Sequence, residues 1–156
     1  MRCAAFHWKL KNHIMKTVEL EEQEKVGLNG QVLIQLPYGL FGFEEVKNYI
    51  LLANPQEEPF AWIQMIGGPK KSFLVLPPFL VSAGYRPDIS DADTQFLDIA
   101  EPSDATLLCI CTLRKNESPS INMMGPIVIN RHTMIGKQCI PNNAAEFSAR
   151  HPLPIS

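Results

Sequence analysis

The chain has 156 residues, a formal net charge of −2, 46% apolar residues and 19% charged residues. These are ordinary values for a soluble domain, and a chain of this length buries a core without a metal or disulfide. The 13 prolines and 9 glycines exclude a helical bundle and favour many short strands, and no apolar run approaches the ~20 residues of a transmembrane helix.

The first 14 residues differ in charge from the rest of the chain. They contain Arg2, Lys9 and Lys11 and no acid, so residues 15–156 carry 11 basic and 16 acidic side chains. The segment lacks the long apolar stretch and cleavage site of a signal peptide. We therefore predict that residues 1–14 are a disordered extension or a misassigned start, and that residues 15–156 form one mildly acidic domain.

Strand patterns dominate the first half of the chain. They cover residues 16–20, 31–36, 48–53, 60–66 and 72–76, with turn signals about every 8 to 12 residues, as in a sandwich or barrel. The segment "LPYGLFGFEE" follows the second of these strands. Pro37 ends the strand, and Gly39 and Gly42 permit positive φ angles, so we predict a compact loop anchored by apolar side chains such as Phe43.

The second half contains one helix signal and the longest strand. Ser90, followed three residues later by Asp93, resembles a capping box and predicts a helix over residues 91–99 in which Phe96 and Leu97 face the core. The strand predicted over residues 105–114 is apolar on both faces. Such a strand is typically central and buried on both sides.

A hairpin completes the predicted sheet. The apolar runs 126–130 and 137–140 flank a polar stretch that ends in Gly136, as in a β-hairpin. The tail that follows has little strand character, since Pro152 and Pro154 discourage regular structure. The sequence therefore predicts an all-β fold with antiparallel strands and one or two short helices, and the residues alone leave a barrel and a sandwich open.

The cysteines offer a candidate metal site. Cys109 and Cys111 lie two apart on a strand and therefore on the same face, which is poor geometry for a disulfide. Together with Cys139 and His132 they supply sulfur and nitrogen ligands for zinc, although the spacing is not that of a closed zinc site. Small apolar core residues in a reducing cytosol are the favoured interpretation. A small β-barrel that binds a ligand or metal through these four residues is the alternative.

No catalytic constellation is visible. None of the four histidines is placed by spacing against a serine or cysteine nucleophile, and the paired acids lie in turn or helix-start contexts. We therefore predict no catalytic residue and no cofactor. Several apolar side chains lie in or beside turns, where they serve either an adaptable interface or the core beneath a loop: Phe41, Met123, Met124, Met134 and Ile135. By elimination, the sequence favours a binding module.

Four stretches then suggest a family. "LPYGLFGFEEVKNYILL", "PFAWIQMIGGPKKSFLVLPPFLV", "YRPDISDAD" and "INMMGPIVINRHTMIGKQCI" occur in this order, and the chain resembles the FliW family of flagellar assembly factors over residues 16–154. The most specific positions of the resemblance are Pro37, Gly39, Gly42, Phe43, Pro126, Asn130 and Gly136. The chain departs from the family at Leu36, where phenylalanine is usual, at Phe41, which replaces a second proline, and at Gly125, where alanine is common.

The resemblance implies a small antiparallel barrel-like fold without cofactor or catalytic centre. FliW proteins bind CsrA, a homodimeric RNA-binding regulator that blocks flagellin translation, and they also bind flagellin. Exported flagellin frees FliW, which then captures CsrA. We accordingly expect a cytoplasmic protein, monomeric on its own, that binds neither nucleic acid directly nor a membrane.

Candidate contact residues follow from chemistry and position. A partner that presents basic residues to RNA phosphates is attracted to an acidic surface. Acids on predicted loops and on the short helix are the candidates for this contact: Glu57, Glu58, Asp91, Asp93 and Glu101. Asn122, Met123 and Met124, at one end of the hairpin, are candidates for contact with a partner helix or tail.

Overall fold

The computed structural model describes residues 31–154. The strand predicted at residues 16–20, the turn after it and the extension at residues 1–14 lie outside this range. Within it, no helix has the length and apolar character needed to cross a membrane.

Nine strands and one α-helix make up the described range. The strands are β1 (Gln31–Gln35), β2 (Asn48–Ala53), β3 (Ala61–Met65), β4 (Ser72–Leu76), β5 (Ala105–Thr112), β6 (Ser120–Ile121), β7 (Ile127–Asn130), β8 (Gly136–Gln138) and β9 (His151–Pro152). The helix α1 spans Asp91–Phe96, and single turns of 3-10 helix cover Pro55–Glu57, Pro78–Leu80, Pro102–Asp104 and Ala144–Glu146. The seven strands for which the sequence pattern gave a signal lie within two residues of the predicted positions, and the two-residue strands β6 and β9 had no strand prediction.

The strands close on themselves. β1 to β5 form an antiparallel meander, and β5 then pairs with β7 through its first half and with β6 through its last residues. The predicted hairpin is present as β7 and β8. Gln35 of β1 forms a parallel bridge with Ile135, just before β8, and its N–H donates to the carbonyl of Met134 at 3.1 Å. The barrel-like antiparallel fold is thereby confirmed.

Alternation along the strands sorts the apolar side chains into separate cores. The inner core contains Ile34, Leu36, Leu40, Val46, Tyr49, Ala61, Ile63, Met65, Val75, Leu108, Ile127 and Ile129. An outer core contains Phe60, Trp62, Leu74, Leu76, Tyr85, Cys109, Cys111, Ile121, Met123 and Leu153. Because Leu108 packs in the first core and Cys109 in the second, β5 is buried on both faces, as predicted.

The helix α1 covers a third, smaller core. The Oγ of Ser90 accepts the Asp93 N–H at 3.2 Å, so the predicted cap is confirmed. Leu97 is buried against Val128 and Cys139, whereas Phe96 is 41% exposed. The prediction that both face the core is wrong for Phe96, because the helix ends there and consecutive side chains on a helix point about 100° apart.

Candidate partner-binding surfaces

The glycine-rich loop between β1 and β2 is held in one conformation by close backbone packing. Gly39 has a φ of +67°, and a Cβ there would lie 2.5 Å from the carbonyl oxygen of Phe43. Leu40, between the two glycines, is buried in the inner core. Phe43 packs against Phe73 with the ring planes tilted by 58° and the ring centroids 5.6 Å apart. These contacts place Phe41 at the tip of the loop, where it is 49% exposed.

Gln138 joins this loop to the hairpin. Its Oε1 accepts the N–H of Phe41 at 2.8 Å, and its Nε2 donates to the carbonyl of Gly125 at 3.0 Å. A Cβ at Gly125 would approach that Nε2 to 3.2 Å, so glycine leaves room for the bond. The proline usual in the family at position 41 has no N–H to donate. Phe41 therefore donates a hydrogen bond that the proline usual at this position could not make.

Asn130 ties the hairpin to α1. Its buried side chain donates to the carbonyls of Leu97 at 2.8 Å and Asp98 at 3.1 Å, and it accepts the N–H groups of His132 and Thr133 at 2.8 and 3.2 Å. All of its amide's polar atoms are thus used internally. Asn130 is a structural residue rather than a partner contact.

Gly136 serves close packing in the same hairpin. A Cβ there would lie 2.9 Å from side-chain atoms of both Ile129 and Leu36. Any larger residue would force these side chains, or the backbone of the hairpin beside them, to shift. The motif positions described so far therefore build the fold on which a partner surface stands.

Asp93 and Lys137 form an ion pair that links α1 to β8. The Lys137 Nζ lies 2.5 Å from the Asp93 Oδ1 and 5.0 Å from the centre of the Tyr38 ring, which in turn contacts Phe96 edge-on at 5.1 Å. Burial by itself raises the pKa of the Asp93 carboxyl, but the hydrogen bond and charge of Lys137, together with hydrogen bonds from Ser90 and Cys139, outweigh burial and hold that pKa below its ordinary value. The same bond raises the pKa of Lys137. Asp93 is therefore neutralised within the fold and contributes little to a surface field.

The other predicted acids lie on two connections. Glu57 and Glu58 belong to the β2–β3 turn, where Glu57 is half-buried and Glu58 is exposed. Asp91 is exposed in the first turn of α1, and Glu101 is exposed just before the 3-10 turn that leads into β5. Four of the five predicted acids thus keep carboxylates at the surface, on the β2–β3 and β4–β5 connections.

An apolar pocket lies beside Glu101. It has a volume of about 490 Å³ and lies between the β4–β5 connection and the outer faces of β5 and β7. Its lining includes Phe79, Ile89, Ile99 and Leu107, with the charged side chains of Arg86 and Glu101. An apolar pocket with a few charged groups is a common anchor site for a partner side chain.

The predicted contacts at the end of the hairpin separate into core and surface positions. Met123 is only 2% exposed and packs in the outer core, where its carbonyl accepts the Tyr85 hydroxyl proton at 2.8 Å. Asn122 and Met124 are half-buried, and the Asn122 Oδ1 accepts the Met124 N–H at 3.0 Å. The side chain of Met123 is therefore a packing residue, and Asn122 and Met124 alone reach the surface.

The structure does not bring the four proposed metal ligands together. Cys109 and Cys111 pack in the outer core and Cys139 in the third core, and all three are free thiols. Burial raises the pKa of each to about 12, which disfavours the thiolate that binds metals. His132 is exposed and lies 3.0 Å from Asp104. Within residues 31–154 no group of three histidine, cysteine or acidic side chains is arranged to hold a metal ion.

The sequence pattern did not reveal the exposure of three apolar side chains, those of Tyr38, Phe96 and Ile140. Tyr38 is 56% exposed and contacts Phe96, and Ile140 after β8 is 63% exposed. The position of Tyr38 beside the glycines of the loop was the one signal in the sequence. Its contact with Phe96 on α1 could not be predicted, because the two residues are far apart in the sequence. Exposed apolar side chains that contact each other are typical of protein interfaces.

Comparison with known proteins places these features in context. The family profile described as "FliW protein" matches residues 8–153. The flagellar assembly factor FliW of Leptospira interrogans is 35% identical over 122 residues, which cover 76% of this chain and 81% of that protein. FliW of Bacillus subtilis is 25% identical over 130 residues, covering 83% and 90%. A crystal structure of the flagellar assembly factor FliW superposes with a TM-score of 0.71 at 30% identity, covering 80% of this chain and 86% of that one.

Proposed function

The chain belongs to the FliW family of flagellar assembly factors, and from this premise we propose that it regulates flagellin synthesis by binding CsrA and flagellin in turn. In this proposal it is a cytoplasmic regulator rather than an enzyme. Its binding to CsrA relieves repression of the flagellin message, and flagellin sequesters it.

The observation that carries the CsrA contact is the exposed acidic charge on two connections. Glu58, Asp91 and Glu101 are exposed, and Glu57 is half-buried beside Glu58. A regulator that binds RNA presents lysine and arginine to phosphates. Acidic side chains on the opposing surface speed association with such a partner and repel RNA, so they provide specificity.

The apolar pocket beside Glu101 supports the same proposal. Charge alone gives limited affinity, because exposed ion pairs contribute only about 0.2–1 kcal/mol each. A buried apolar anchor contributes more, with hot-spot side chains worth ~2 kcal/mol or above. The pocket lined by Phe79 and Ile99 lies next to Glu101, so an apolar side chain flanked by a basic residue would find both partners there.

The test is a titration calorimetry experiment with the full chain. CsrA from the same genome is titrated first, and flagellin from that genome is then added to the complex. The proposal expects saturable CsrA binding that flagellin reverses. If neither protein binds a sample shown by circular dichroism to be folded, the chain keeps the fold of the family without its partner switch.

A further inference from the structure

A groove lies at one end of the barrel in the described part of the chain. It has a volume of about 730 Å³ and is bounded by the glycine-rich loop, the β5–β6 turn and the segment before β9. Phe73 of β4 and Ile110 of β5 line it and also pack against the inner core. The groove is therefore the mouth of the barrel, a place where small barrels commonly bind ligands.

The charge of the groove is opposite to that of the acidic connections. Arg114 and Arg150 line it, with Glu117 as the one acid in the lining. Glu117 lies 3.8 Å from the guanidinium of Arg114, with both side chains more than half exposed, which is a weak pair. Arg150 makes no salt bridge within residues 31–154. The groove thus holds net positive charge on a chain whose overall charge is −2.

An unpaired strand edge lies beside these arginines. β9 (His151–Pro152) pairs only with β6 among the described strands, so its other edge has no strand partner there. Pro152, which has no N–H, is part of the groove lining together with Arg150. Because proline leaves that edge without a main-chain donor, a segment lying along it would be held chiefly by side-chain contacts in the groove and not by a ladder of backbone hydrogen bonds.

We propose that this groove binds an extended, carboxylate-bearing segment of a partner protein. Arg114 and Arg150 would pair with the carboxylates, while Phe41 and Phe73 contact an apolar residue of the segment. This site differs in position and in sign of charge from the acidic surface assigned above to CsrA. The inference rests on the groove alone and does not require either proposed partner to be correct.

Two labelled peptides test the proposal on the full chain. One alternates glutamate with leucine and serine over roughly ten residues, a length of about 33 Å when extended, and the other carries lysine in place of each glutamate. Fluorescence anisotropy should show saturable binding of the acidic peptide only. The amide NMR shifts that change should belong to Ser118, Ser120 and Arg150, which line the groove.

Charge-reversed variants locate the site. In Arg114→Glu combined with Arg150→Glu, the acidic peptide should bind about tenfold more weakly, because two attractive charges become repulsive. The matched control, Arg131→Glu combined with Lys70→Glu, changes net charge equally at exposed positions outside the groove lining and should keep wild-type affinity. Both side chains of the test variant are exposed, so folding, followed by circular dichroism, should persist.

Three outcomes would overturn the proposal. The first is no binding of the acidic peptide up to millimolar concentration, or equal binding of both peptides. The second is equal weakening in the control variant, since that would make the effect one of net charge. The third is a set of groove amide shifts that depends on protein concentration without peptide, which would assign the groove to a second copy of this chain.

Discussion

Gln138 is the residue whose removal tests the link between the glycine-rich loop and the hairpin. Gln138→Leu keeps the side chain's size but leaves the Phe41 N–H and the Gly125 carbonyl without their partner. We expect a loss of about 1–3 kcal/mol in the free energy of unfolding, measured by urea denaturation. Gln35→Leu, on an exposed position of β1, should change it by less than about 0.5 kcal/mol.

A double-mutant cycle shows whether Phe41 carries that effect. Phe41→Pro removes the N–H that Gln138 accepts, so Gln138→Leu should destabilise the proline variant less than it destabilises the wild type. Equal losses in the two backgrounds would mean that the hydrogen bond between Phe41 and Gln138 contributes nothing to stability.

The ion pair between Asp93 and Lys137 should make the stability of the fold depend on pH. The pKa of Asp93 lies below its ordinary 3.8 in the folded chain, so the pair's contribution is complete above that value and is lost as pH falls through the folded pKa. Asp93→Asn should lower the free energy of unfolding by about 1–2 kcal/mol near neutral pH, because the pair is only partly buried. The difference from wild type should shrink as the pH falls below 3.8 and through the lowered pKa of the folded state. Chemical denaturation at a series of pH values measures it.

Asp91→Asn is the matched control for that measurement. Asp91 lies on the same helix with an exposed side chain and makes no salt bridge among the described residues. Asp91→Asn should lower the free energy of unfolding by less than Asp93→Asn does. If the free energies of unfolding of the wild type and Asp93→Asn differ by the same amount at every pH, Lys137 does not stabilise the charged carboxylate of Asp93.

At the scale of elements, two glycines in one loop make different demands. Both have positive φ, but a Cβ at Gly39 would lie 2.5 Å from a backbone oxygen, whereas a Cβ at Gly42 meets nothing within 4 Å. Gly42→Ala should therefore lower the free energy of unfolding by about 1 kcal/mol. Gly39→Ala should lower it further, by at least about 2 kcal/mol in total, because the backbone must move. Similar thermal midpoints for the two variants would show that the loop adapts freely.

The strands were predictable because alternation and turn residues are local signals. The pattern of β5 even revealed burial on both faces, since Leu108 and Cys109 are both apolar. The sequence pattern placed Phe96 in the core because it does not show where α1 ends. That end involves the positive φ of Asp98 and the carbonyls of Leu97 and Asp98, which accept hydrogen bonds from the Asn130 side chain. The two-residue strands β6 and β9 had no local signal, because their pairing with each other is a property of the assembled sheet.

The candidate site was predictable only in its chemistry. Acidity at Glu58, Asp91 and Glu101 could be read from the chain, and all three are exposed. The ion pair that neutralises Asp93 could not be predicted, since its partner Lys137 is 44 residues away in the sequence. Met123 shows the same limit: a methionine beside a turn has one local pattern whether it faces a partner or the core.

At the scale of the whole molecule, the acidic connections should govern the rate at which CsrA is captured. Reversing the charge at Glu57 and Glu58 to lysine should slow association by about tenfold at low salt, and the difference should diminish near 0.15 M salt, where the Debye length is about 8 Å. Stopped-flow fluorescence at several ionic strengths measures it. The physical reason is that screening removes attraction between charges that are not yet in contact.

Glu45→Lys combined with Glu146→Lys gives the same change in net charge at other exposed positions. Its association rate should remain closer to that of the wild type. If the two double variants are slowed equally, the overall charge of the chain matters and its placement does not. An unchanged rate in the Glu57 and Glu58 variant at low salt would remove these residues from the interface.

The position of β5 couples the stability of the two main cores. Its Leu108 packs inside the barrel and its Cys109 outside, and it pairs with β4 on one edge and with β6 and β7 on the other. Neither core can open without breaking contacts of this strand, so local opening cannot separate them. The amides of Leu108 to Cys111 should therefore exchange with solvent only through cooperative global unfolding, which makes this strand, among the described strands, the one least able to change shape when a partner binds.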